Sequence, residues 1–201
     1  MGKYRVIGAG VLLVCMAVGF LGIEIVGDAQ ASAVTEKIRW DIISLENGDL
    51  PAQAGGVAFA LANDQSSIRL SGSGSFGPTV FDSVSGGGDW TTFDPAGNET
   101  GTGTYVVTGL ISYVGAPGNF PVPEDMDLIG NPEDARAGLA HLSVVYSDGS
   151  SGVLVVSCRL VESPETMFEG VINSKDFVSY SNYVPNVAGI DANRTVFHAV
   201  P

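Results

Sequence analysis

Short runs rich in Val, Ile, Thr, Tyr and Phe, broken by clusters of Gly, Ser, Asn and Asp, recur from residue 32 to the end of the chain. Such punctuation predicts strands separated by turns. The runs fall near Ile38–Leu45, Gly56–Ala62, Ser67–Ser75, Trp90–Phe93, Thr104–Tyr113, Leu139–Tyr146, Val153–Leu160, Phe168–Asn173, Phe177–Tyr180 and Thr195–Val200. No segment after Ser32 carries a three-turn helical stripe. The clearest local unit is a hairpin over Leu139–Leu160, turning through Ser147-Asp148-Gly149-Ser150-Ser151-Gly152. Alternation aims Leu142, Val144 and Tyr146 at Leu154, Val156, Cys158 and Leu160 across the sheet. Cys158 is thereby read as a small core residue rather than a nucleophile. Together these runs predict one all-β domain, either an antiparallel β-barrel or a two-sheet β-sandwich.

The first thirty residues follow a different pattern. Lys3 and Arg5 precede eighteen uncharged apolar or glycine residues, Val6–Ile23, and then come Glu24, Asp28 and Ala29-Gln30-Ala31. A basic start, an apolar stretch and a small-x-small triplet predict a secretory signal over 1–31, with Ser32 opening the exported domain 32–201. The alternative is an uncleaved membrane anchor, because eighteen apolar residues approach the roughly 17–25 that span a bilayer. A lipoprotein site at Cys15 is rejected because Val14 is too large before it. A prepilin site at Gly22 is rejected because the apolar run precedes it. Both readings place the domain outside the cell or at its surface.

Charge narrows the partners. The chain has 22 acidic and 9 basic residues, and the signal is charge-balanced, so the net −13 belongs to residues 32–201. Nucleic acids and anionic membranes need a basic footprint, and both are excluded as partners after signal cleavage. Carbohydrate, small-molecule and protein partners stay open. Of two cysteines only Cys158 lies beyond the signal, so no intramolecular disulfide is expected.

Candidate chemistry is sparse. Gly72-Ser73-Gly74-Ser75-Phe76-Gly77 satisfies a dinucleotide fingerprint in letters, but Pro78-Thr79-Val80-Phe81 reads as strand where a helix N-terminus is required. The glycines of Ser71–Gly88 and Asn98–Gly103 are read instead as tight curvature of a small barrel or sandwich. The irregular stretch Gly115–Arg136, rich in proline and acid, is read as a solvated connection. Within it Asp125-x-Asp127 begins a calcium-like pattern that Ile129 interrupts, and Asp89 and Asp94 beside Trp90 make no fuller set. Trp40 and Trp90 are read as core anchors, with a carbohydrate-facing position the alternative for Trp90. Asn98-Glu99-Thr100 and Asn193-Arg194-Thr195 fit the glycosylation triplet. No G-x-S-x-G or H-E-x-x-H occurs, and the two histidines are His141 and His198. No catalytic residue, cofactor or metal ligand is assigned.

Several runs together resemble uncharacterised secreted all-β proteins of bacteria. They are Arg39-Trp40-Asp41-Ile42-Ile43-Ser44-Leu45, Gly103-Thr104-Tyr105-Val106-Val107-Thr108-Gly109, Tyr146–Cys158, Phe168-Glu169-Gly170 and Ser174-Lys175-Asp176-Phe177-Val178. The resemblance implies export and a β fold and carries no activity or site residue. The glycine-punctuated strands are also similar in composition to small barrels of the dirigent and allene oxide cyclase type, and fold alone does not set function. The leading expectation is a non-enzymatic extracellular binding or surface-interaction protein. One alternative is a small barrel enzyme with a polar pocket, acting on a hydrophobic or sugar substrate, which an enclosed pocket containing His141, a carboxylate and a tyrosine would favour. The other is a subunit of an extracellular assembly joined by strand-edge pairing.

Overall fold

The computed structural model describes residues 36–45, 50–77 and 83–201. The predicted signal, Ser32 and the run Pro78–Phe81 lie outside them. Among the described residues thirteen strands carry the fold: β1 (Lys37–Leu45), β2 (Gln53–Ala54), β3 (Ala58–Leu61), β4 (Ser67–Leu70), β5 (Ser73–Phe76), β6 (Val84–Phe93), β7 (Glu99–Ala116), β8 (Ala135–Tyr146), β9 (Ser151–Cys158), β10 (Gly170–Lys175), β11 (Val178–Tyr180), β12 (Asn182–Tyr183) and β13 (Gly189–Val200). The all-β expectation holds, and of its two forms the barrel is the one adopted. β8, β13, β1, β5, β6 and β7 pair in a ring that closes from β7 back to β8.

Three of these strands are too long for the ring. β6, β7 and β8 run on into a flared second half, where β9–β11 extend from β8 and β4, β3 and β12 extend from β6. The flare curls until β3 and β10 come into contact. The predicted single strand Ser67–Ser75 is divided into β4 and β5, although both keep one continuous register along β6, from Ser67↔Phe93 to Phe76↔Val84. The division at Ser71–Gly72 has a physical cause. There the run exchanges its other neighbour, from β3 in the flare to β1 in the ring.

Glycine makes that crossing possible. Gly74 lies against β6 so closely that a side chain on it would meet the Ser85 carbonyl oxygen at 2.2 Å and Trp40 Nε1 at 2.8 Å. Opposite it Gly86 has φ +126°, a conformation that side chains disfavour. The triple glycine 86–88 therefore lies within a strand, and β6 begins earlier than the predicted Trp90. The curvature reading holds at these positions. Gly72–Gly77 is itself largely strand, and among the described residues the only helices are single 3₁₀ turns at Glu124–Met126 and Pro132–Asp134.

Both halves are filled by side chains. In the ring, Phe76, Tyr113 and Phe197 pack with ring centroids 5.1–6.1 Å apart beside the wholly buried Trp40. In the flare, Trp90 meets Tyr146 edge-on at 5.9 Å. Trp90 is a core residue, its indole donating to the Thr104 carbonyl. The Leu139–Leu160 hairpin forms as predicted, with Leu142 opposite Leu154 and Cys158 wholly buried. Its turn is locked by Lys175, which pairs with Asp148 and lies over the Trp90 ring at 4.4 Å.

The stretch read as a solvated connection proves to be a cover. β1 buries both of its faces, so Ile43 and Leu45 point outward with Val196 and Ala192 of β13 and need apolar partners. Residues 117–134 cross this outer face and supply Phe120 and Ile129. One end of this strap is tied by the mutual backbone bonds of Asn119 and Val161. The other end is tied by buried Asp127, whose Oδ2 lies 2.7 Å from His198 Nε2 while its Oδ1 accepts from the Ile129 and Gly130 amides. Replacing Asp127 with Ala removes the partner of buried His198 and the acceptor of the Ile129 and Gly130 amides. We expect a loss of about 2–4 kcal/mol in urea denaturation, with 117–134 becoming protease-sensitive before global unfolding. Unchanged stability would show that the strap is held by its apolar contacts alone.

Candidate functional site

The ring closes through very little pairing on one side. β13 and β8 share only Phe197↔Arg136 and His198↔Ala135, after which β8 turns away to pair with β9 from Gly138 onward. The Thr195 amide, two residues back along β13, consequently has no strand to receive it on that side. A buried backbone donor must find another acceptor. Glu169 supplies it.

Local sequence positions this carboxylate. Gly170, with φ +106°, opens β10 where a side chain would meet the Asn193 carbonyl oxygen at 2.8 Å. The chain passes β13 closely there, which sets the preceding residue into the wedge between β9 and β13. Glu169 Oε1 accepts the Thr195 amide at 2.7 Å and Oε2 the Arg159 amide at 2.5 Å. The Thr195 hydroxyl donates to the Ser157 carbonyl at 2.7 Å, completing the bridge. Burial disfavours the charged carboxylate and pushes Glu169 up to about 8, outweighing the two amides and the nearby Arg194, which favour ionisation. At neutral pH the group is mainly a carboxylic acid.

Beside it opens a cleft of about 130 Å³, room for about four waters at ~30 Å³ each. Its walls are Ile43, Leu45 and Val196 of the barrel, Phe120 of the strap, and Leu160 and Val161 beyond β9. Arg159 and Arg194 line it together with Glu169 and Thr195. Arg194 Nε is buried without a hydrogen-bond partner. Apolar walls with a few convergent polar groups are the general form of a small-ligand site.

The residues singled out from sequence are not brought together. His141 is half-buried on the outer side of β8, with Nδ1 3.0 Å from the Ser112 hydroxyl. Across the sheet His141 stands between Ser112 of β7 and Val155 of β9, neither a carboxylate nor a tyrosine. The Asp125-x-Asp127 pair is divided, Asp125 exposed and Asp127 buried against His198. Asp89 bonds Ser71, and Asp94 caps its own turn by accepting from the Ala96 and Asn98 amides. Among the described residues no three His, Cys, Asp or Glu side chains gather as metal ligands. Burial and the Glu169 charge push the Cys158 thiol well up, which makes it an inert core residue. Of the two glycosylation triplets, Asn193 is buried and receives the Phe59 amide at 2.8 Å, so it is a clamp between β13 and β3. Glu169, Arg159 and Arg194 were not anticipated as a site. The available signal was an acid set directly before a glycine and an apolar strand.

No known protein family, curated protein or solved structure matches the chain.

The Glu169 carboxyl links stability to pH. Its folded value lies above the ordinary 4.5 of the unfolded chain, so the native state holds a proton that the unfolded chain releases. That contribution is complete below about pH 4.5, falls as pH rises, and is gone above about pH 8. The unfolding free energy from urea denaturation should fall by a few kcal/mol from about pH 5 to about pH 9, at ~1.4 kcal/mol per pH unit. Glu169→Gln should flatten this fall while lowering stability at acid pH, because an amide offers one acceptor oxygen to two buried amides. A wild-type slope retained in the variant would remove Glu169 as its source.

Proposed function

We propose that this is an exported β-barrel domain that works by binding rather than catalysis, and that the Glu169 cleft is its ligand site. The observation carrying this reading is the combination, in one solvent-reaching cleft, of apolar walls with a buried acid and the Arg194 guanidinium, whose Nε is buried without a partner. A ligand cannot lie inside the ring, where Trp40, Phe76 and Phe197 are fully buried against one another. In the outer cleft a buried carboxyl, a guanidinium and apolar walls come together. Export is supported by the basic start, apolar run and small-residue triplet of the first 31 residues. The enzyme alternative has weaker support, since His141 faces Ser112 outside the barrel rather than a carboxylate.

The test is a fragment titration of the purified secreted protein labelled with ¹⁵N. Binding should displace the amides of Arg159, Glu169, Thr195 and Val196, and intact mass should begin at Ser32. Silence of those amides toward every fragment, with light scattering showing concentration-dependent growth instead, would replace this reading with the assembly subunit.

A further inference from the structure

The cleft sorts its polar groups in one direction. Each Glu169 oxygen already accepts a backbone amide, and the Thr195 hydroxyl already gives its proton to Ser157. What is left unpaired donates. Arg194 Nε–H is buried without an acceptor, and the Arg159 side chain stands at the exposed rim. Two of the seven basic residues after residue 31 thus line one small cleft in a strongly acidic domain. That placement opposes the field of the whole surface and gives the cleft a local preference for an anion.

The walls restrict the anion further. Ile43, Leu45, Phe120, Leu160, Val161 and Val196 surround the polar groups, and hydrocarbon is what such walls stabilise. A volume of about 130 Å³ is well below the roughly 300–1,000 Å³ of drug-sized pockets. Inorganic phosphate would leave these walls without an apolar partner and would bring more acceptor oxygens than there are donors.

We propose that the cleft binds a short organic monocarboxylate, its anionic head on the Arg194 guanidinium and its hydrocarbon body against Ile43, Leu45, Phe120 and Val196. The proposal rests on the cleft being a ligand site and adds the chemical class. Below about pH 8 the Glu169 proton supplies one more donor to the head, making an acid–carboxylate pair. Above it the same group becomes a second anion and repels the ligand. The other titratable groups facing Glu169 are Arg194 of β13, and Cys158 and Arg159 at the end of β9. β1 and the strap contribute only uncharged Ile43, Leu45 and Phe120.

The experiment compares isovalerate, the uncharged isostere isovaleramide and inorganic phosphate by amide shift titration of the secreted protein. Isovalerate should move the Arg159, Glu169 and Thr195 amides saturably and bind roughly tenfold tighter than either comparator. Its affinity should drop several-fold between about pH 6.5 and about pH 9, and the drop should be lost in Glu169→Gln. Arg194→Gln should weaken isovalerate roughly tenfold and leave isovaleramide unchanged. Should that variant fail to fold, the acid–amide comparison on the unaltered protein decides, with Arg159→Gln at the rim as the second variant. Equal or tighter binding of isovaleramide, or of phosphate, at these amides overturns the carboxylate class and leaves the ligand site standing. Silence of the amides toward all three overturns the carboxylate class, and the ligand site falls with it only if the fragment titration is silent as well.

Discussion

The fold turns on a shortage of backbone partners where β8 leaves β13. Strands β6, β7 and β8 belong to a closed ring and to a flare at once, and a strand serving two sheets must change neighbours along its length. At β4–β5 the exchange is absorbed by glycines that let backbones cross closely. At β8 it opens a wedge, and there a side-chain carboxylate takes the role of a missing strand by accepting one amide from each side. Without that acceptor the buried Thr195 amide is orphaned, the Arg159 amide loses its partner, and ring closure depends on the two remaining residue pairs.

An apolar residue at this position would fill space and satisfy neither amide. An acid satisfies both, but desolvation opposes its charge, so the wedge is held by a group whose proton count depends on pH. The strap adds a second constraint. Phe120 protects the outward Ile43 and Leu45 and at the same time walls the cleft beside Glu169. The site is therefore assembled from elements that the barrel already needs for closure and cover. A binding pocket here requires no additional scaffold.

Much of the fold was legible because it rests on local patterns. Alternation in Leu139–Leu160 places Leu142, Val144, Leu154 and Val156 on one face, and the Asp148-Gly149 turn has the chemistry of a hairpin. The two-residue strands β2 and β12 have too few positions to show any period. The strap was misread for a different reason. Its prolines and acids look solvated, and the demand for a cover comes from outward Ile43 and Val196, about eighty residues away in either direction. The Ile42-Ile43 and Val196-Phe197 pairs do signal strands buried on both faces. The Glu169 cleft was illegible because Glu169 and Arg159 lie just beyond strand ends and its logic is an unpaired amide, which no residue letter records.

Asn193 carries a consequence for how the protein is made. The triplet Asn193-Arg194-Thr195 is an acceptor for oligosaccharide transfer in hosts that have the machinery. In the folded chain its amide is enclosed, with Oδ1 on Phe59 and Nδ2 on the Asp191 and Pro185 carbonyls. Transfer during translocation acts on chain that has not yet folded, so production in a glycosylating host becomes a race between the transferase and the closing of β13 onto β3. A glycan attached first is too large for that space, and the affected molecules lose the clamp before the barrel can form.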